Sequence, residues 1–330
     1  MATTYFNHSR NQSNEKTTYS KTGGMKYTFV VEIETSRGNY RDVENLSASG
    51  LNLINTSAVY DGSVGGPEYV TGVLKGDMGV EQLERLCDAL NQTNHEVNRR
   101  CGIHIHIGGA NFNRAFQAMA IRLAYQIQDQ VYEMLPESRQ NNTYCKKIDK
   151  SFRNINFKNA NKKLAEYLFR GESSYDKDGN YSHADWRKGF SKKLNKKNRL
   201  GRYPNTRYRW VNLVRCGTAS NGETLEFRCH GGSLNFGKIY NWLMICMAIV
   251  RFIENNQARI MKKGVTLLEI LNEAFTPAER ERLVQYINER RKNFGHKEMR
   301  KHLYYKRSVT FADVFSGTKQ SITFANSLKK

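Results

Sequence analysis

The chain is poor in proline, with 4 in 330 residues, which argues against long rigid linkers between domains. No apolar run approaches the roughly 18–20 residues that cross a bilayer, so no membrane partner is expected. The richest stretch, Trp242 to Val250, is about half that length and reads as the core of a buried helix. The N-terminal segment lacks an apolar h-region, so no secretory signal is expected. Cysteines are few and scattered (Cys87, Cys101, Cys145, Cys216, Cys229, Cys246), with no Cys-x-x-Cys. That spacing disfavours structural zinc and suits reduced, buried thiols in a cytoplasmic protein. No internal repeat is present. Acidic residues are scarce too: 31 Asp+Glu face 52 Lys+Arg, a formal net charge of +21. From Ser138 to Arg209, 20 Lys+Arg stand against 6 Asp+Glu, so a local +14 holds two thirds of the excess. Such a patch attracts polyanions, nucleic acid among them; a solvated basic surface is the plainer alternative.

What is present supports a folded domain, since 39% of residues are hydrophobic and 11% aromatic. Residues 1–24 read as a disordered polar tail, 25–310 as one domain with a basic insert at about 138–200, and 311–330 as a basic tail. Strands are expected near 26–35, 51–60, 67–73, 101–108, 206–215 and 223–230. Helices are expected near 79–100, 112–135, 160–169, 237–262, 266–272 and 277–293, the last begun by Thr276-Pro277. Short links between several strands predict an α+β fold with an antiparallel or mixed sheet.

Three of these strands carry polar pairs one residue apart: Glu32 and Glu34, His104 and His106, Glu226 and Arg228. Strand side chains alternate with period 2, so each pair points to one face. With Asp61 and Glu68 they could line a single sheet face. Each pair has a bland alternative: a solvated face, histidines satisfied by backbone, or a local ion pair. Together they form an inventory for holding hard divalent cations against a phosphate, because carboxylates with an imidazole suit Mg²⁺ or Mn²⁺ better than zinc. Such ions bridge the phosphates of ATP, and a nearby arginine stabilises a transferring phosphoryl group. A P-loop is nearly spelled from Gly232 to Ile239, but Ile239 stands where a Ser or Thr hydroxyl is needed.

The ordered segments FVVEIET, DGSVGGPEYVTGVL, CGIHIHIG, PESRQNNTYC, RYRWVNL and ETLEFRCHGGSLN resemble the amidoligase family of phages and bacteria. That family is similar to glutamine synthetase and glutamate–cysteine ligase, the carboxylate–amine ligases. The resemblance implies ATP-dependent amide formation on a curved, mostly antiparallel sheet of glutamine-synthetase-like type. It further implies that Glu32, His104 and Glu226 hold one Mg²⁺ or Mn²⁺ ion, and Glu34, Asp61 and Glu68 a second. Arg228 would bind the γ-phosphate or acyl-phosphate oxygens. Glu32 and His104 would be catalytic with it, and His106, Arg207, Tyr208 and Asn212 would lie near nucleotide or substrate. Expected partners are a carboxylate and an amine, amino acid or peptide, with the basic 138–209 segment open to a polyanion. The first strand departs from the family pattern, with Val30 where glycine is usual. The alternative reading is a nucleic-acid-associated binding protein whose ligase site is secondary or decayed.

Overall fold

A computed structural model describes residues 3–5, 26–53, 55–168, 205–216, 222–262 and 264–299. Its strands are β1 (Thr3–Tyr5), β2 (Thr28–Glu34), β3 (Ser57–Asp61), β4 (Gly66–Val70), β5 (Gly102–Gly108), β6 (Val211–Asn212) and β7 (Thr224–Gly231). They form one sheet in the order β1-β3-β4-β2-β5-β7-β6, and every neighbouring pair is antiparallel. The longer helices are α1 (Tyr40–Leu46), α2 (Gly76–Gln92), α3 (Arg114–Tyr132), α4 (Glu137–Gln140), α5 (Ala160–Leu168), α6 (Phe236–Asn255), α7 (Gln257–Lys262), α8 (Leu267–Ala274) and α9 (Pro277–Asn293).

Alternation in the strands separates two faces. Phe29, Val31 and Ile33 of β2, Ile103, Ile105 and Ile107 of β5, and Leu225 and Phe227 of β7 are all fully buried, facing a helical layer. The centre of that layer is α6, whose buried residues run almost continuously from Trp242 to Val250. An all-round apolar helix must be enclosed, and this one packs against α2, α3, α8 and the sheet. By length and composition it could cross a membrane, but 67% of its apolar window lies inside the fold. Helices on one side of an antiparallel sheet make this an α+β domain. The opposite face is left to the polar row.

Several expectations shift. Tyr40–Leu46 is helical, its first turn held by Asn39, whose side chain accepts from the Arg41 N–H. The strand expected over 206–215 shrinks to Val211–Asn212, because Asn205–Tyr208 closes a 3-10 turn in which buried Thr206 accepts from the Leu213 N–H at 2.9 Å. The helix expected over 237–262 breaks at Asn256, whose side chain donates to Glu273. Residues 138–168 of the basic insert are no separate lobe: Phe152, Ile155, Leu164 and Tyr167 are buried in the core, and the Tyr167 hydroxyl donates to the Val211 carbonyl at 2.7 Å. Thr3–Tyr5 pairs with β3 rather than belonging to a polar tail. The remainder of 1–24, residues 169–200 and the tail 311–330 lie outside the described residues.

Candidate active site

Register brings the polar pairs into one row. Glu34 sits opposite Glu68 on β4, Glu32 opposite His104 on β5, His106 opposite Glu226 on β7, and Glu226 opposite Asn212 on β6. Between Ile103 and Ile105 the ladder carries a bulge, with one extra residue on β7. Arg228 therefore stays on the polar face with Glu226, while His230 turns back to stack on Trp242, ring centroids 5.7 Å apart. Burial there pushes the His230 imidazole down to about 3, so this third histidine is a neutral core residue and no part of the row.

Glu32 is the centre. One of its oxygens meets His104 Nδ1 at 2.9 Å and the other meets His106 Nε2 at 2.9 Å. Burial raises the Glu32 carboxyl, but the two imidazoles outweigh it and hold the group well below the usual carboxylate range. His104 Nε2 also faces Glu34 at 3.5 Å, and its Nδ1 lies 3.8 Å from Glu68. At the other end Glu226 is held on both oxygens: Asn212 donates to one at 2.6 Å, and Arg228 pairs with the other. Burial again raises this carboxyl, and Arg228 and His106 more than reverse the effect. Burial lowers His106, whereas Glu226 and Glu32 raise it by more, so it keeps its proton to higher pH. The Arg228 Nε is buried and has no hydrogen-bond partner among the described residues.

The opposite end has surplus negative charge. Glu68 is pushed up to about 9 by burial first, then by the charges of Glu32, Glu34 and Asp61. Two sets of ligand atoms converge on this face: Glu32, Glu68 and His104 in one, Glu32, His106 and Glu226 in the other, all atoms within each set lying within 4.8 Å of one another. Carboxylate oxygens with one imidazole per set fit a hard divalent ion in each.

The grouping differs from that implied by the sequence. His106, not His104, joins Glu226, and Glu68 joins His104. Glu34 accepts from the Gly102 N–H at 2.6 Å, and Asp61 accepts from the Ser63 N–H at 2.7 Å within the β3–β4 turn. Arg207 is exposed in the 3-10 turn before β6. The near-P-loop is a packing device: a Cβ at Gly232 would fall 2.6 Å from that of Cys101, and Asn235 caps α6 by accepting from the Lys238 N–H at 3.0 Å. Arg139, absent from the sequence-based site, is buried beside Gly102, on the side a Gly102 Cβ would face. Only its place in PESRQNNTYC marked it. The six cysteines are free and buried.

The chain is similar to a bifunctional glutathione synthetase from Pasteurella multocida, at 12% identity and a TM-score of 0.40, over 87% of this chain and 49% of that one. It spans about half the length of that structure. No curated protein matches. The family model described as "Putative amidoligase enzyme" matches residues 4–250, from β1 through most of α6 and across the whole polar row. By that match, the chain belongs to the amidoligase family.

Proposed function

We propose that the protein is an ATP-dependent, ADP-forming carboxylate–amine ligase, built on a sheet of glutamine-synthetase-like type and working in the cytoplasm. The observation that carries this reading is Glu32, shared between two convergent clusters with Arg228 fixed at one end. Glu32, Glu68 and His104 would hold one Mg²⁺ (or Mn²⁺) and Glu32, His106 and Glu226 another, with Glu34 and Asp61 adding negative charge at the first. Bound there, divalent cations neutralise the phosphates of ATP and the charge of a transferring phosphoryl group.

The chain's own groups divide the remaining work. The Arg228 guanidinium, anchored by Glu226 and with its buried Nε unpartnered, is oriented to take phosphoryl oxygens. His106, which Glu226 and Glu32 help to keep protonated, would release that proton on joining the cation cluster. Asn212 fixes the second Glu226 oxygen so that the carboxylate cannot rotate. Arg207 is assigned to the nucleotide side. One oxygen of the substrate carboxylate bonds to the γ-phosphorus as the bridging bond to ADP breaks. The amine nitrogen then attacks the acyl carbon, the bond to phosphate breaks, and the nitrogen loses its proton. No covalent enzyme nucleophile is needed.

ADP release from Mg²⁺-ATP across a panel of amino acids and acidic peptides tests this. Turnover should require both a carboxylate and an amine, and Arg228→Ala should lower kcat roughly 10²–10³-fold. Phosphate release without an amine would instead make the protein a phosphohydrolase.

The excess of 20 Lys+Arg over 6 Asp+Glu in 138–209 favours a second reading, a nucleic-acid-associated protein. It expects binding that weakens steeply with salt and with charge reversal in 187–202. Salt-insensitive or absent binding removes it.

A further inference from the structure

Arg139 is 3% exposed, lies on α4 just after Pro136, and forms no direct ion pair among the described residues. A buried arginine without a carboxylate is costly unless its charge is met otherwise. Its Nη2 donates to the Cys101 carbonyl, which also accepts from the Gly232 N–H at 2.8 Å. The N–H of that same peptide unit, at Gly102, donates to Glu34 Oε2 at 2.6 Å. Cation, peptide and carboxylate thus lie in series: guanidinium to C=O, N–H to carboxylate. Donation to the carbonyl oxygen polarises the peptide and strengthens its N–H as a donor, so the bonds reinforce each other.

Gly102 is what lets the three groups meet. A Cβ there would fall 2.6 Å from Arg139 Nη2 and 3.3 Å from both Glu34 Oε2 and His104 Nε2. Any side chain would separate the guanidinium from the row.

We infer that Arg139 is a positioning residue of the candidate site, holding Glu34 in place through the Cys101–Gly102 peptide and countering its charge from beside Gly102 on the same face. The inference rests on the reading of this face as a cation-binding site. It explains why a two-oxygen group at the acidic end spends one oxygen on backbone: the other, 3.5 Å from His104 Nε2, is thereby aimed.

A double-mutant cycle of Arg139→Met and Glu34→Gln in the metal-free protein, read by chemical denaturation, tests the relay. Coupling of roughly threefold or more in the unfolding equilibrium is expected; additivity within about twofold overturns it. Arg139→Lys, which keeps the charge and loses the fork, takes the place of Arg139→Met in the cycle if that variant does not fold. Mn²⁺ binding followed by titration supplies the functional readout. Arg139→Met should raise Kd by about 10–100-fold, with partial rescue in Arg139→Lys and a much smaller effect in a Glu34→Gln background. Equal losses with Glu34 present or replaced would make Arg139 a general structural prop and overturn the inference. If wild type binds no Mn²⁺, the cation-site reading fails, while the metal-free cycle still decides the relay.

Discussion

Glu32→Gln should abolish ADP formation, a loss on the order of 10³-fold or more, with a fold that still melts cooperatively. Both oxygens of Glu32 are engaged, one on each histidine, and both cation clusters include it. An amide of the same shape removes the charge from both clusters at once and turns an N–H₂ toward one imidazole. Arg228→Ala, in contrast, removes one donor set and leaves the clusters complete. Mn²⁺ titration of Glu32→Gln should show affinity lost at both positions together. Retention of ADP formation within tenfold of wild type would move the chemistry off this face.

Glu68→Gln should have the opposite effect on the empty protein: it should stabilise it at pH 8. The folded-state carboxyl is raised from 4.5 to about 9, so the folded chain binds a proton that the unfolded chain releases near 4.5. Stability then falls as pH rises through the window between those values, and the penalty is full only above about 9. At 1.36 kcal/mol per pH unit, lessened by the partial solvent access of Glu68, this is on the order of 3 kcal/mol. The glutamine variant should lack that part of the slope between pH 5 and 9, as urea midpoints would show. Mg²⁺ should stabilise wild type more than the variant, and the gain should grow with pH because binding must expel the Glu68 proton. A variant no more stable than wild type at pH 8, with an unchanged slope, would mean that the acidic end carries no charge surplus.

The polar row was legible because strand alternation is a local rule: Glu32 with Glu34, His104 with His106, and Glu226 with Arg228 share faces whatever their neighbours do. Which groups converge depends on cross-strand register, and a bulge between Ile103 and Ile105 moves that register by one residue. No single strand encodes register, so the clusters pair Glu226 with His106 and Glu68 with His104, whereas the motif implied Glu226 with His104, Glu68 with Glu34 and Asp61, and His106 only near nucleotide or substrate. Arg139 was harder still. It sits on a four-residue helix and meets the site through a missing side chain at Gly102, a contact set by tertiary packing alone. Helix α6 was plain from its apolar length, whereas its end at Asn256 hinges on a partner, Glu273, met only in the fold. The Asn39-capped α1 was hidden by a run of residues that usually make loops.

The sheet order also sets a sequence in time. Glu32, Glu68 and His104 lie on strands complete by Gly108, and among the described residues those strands pair with one another and with β1 until β7 arrives at Thr224. A ribosome-bound chain therefore exposes the acidic half of the row for the synthesis of more than a hundred residues before Glu226, Arg228 and Asn212 can join it. Through that interval the carboxylates of the nascent sheet lack Arg228, and closing the β5–β7 ladder across such a span is slow. Divalent ions present during synthesis would neutralise those carboxylates, making cation supply a determinant of folding yield as well as of chemistry.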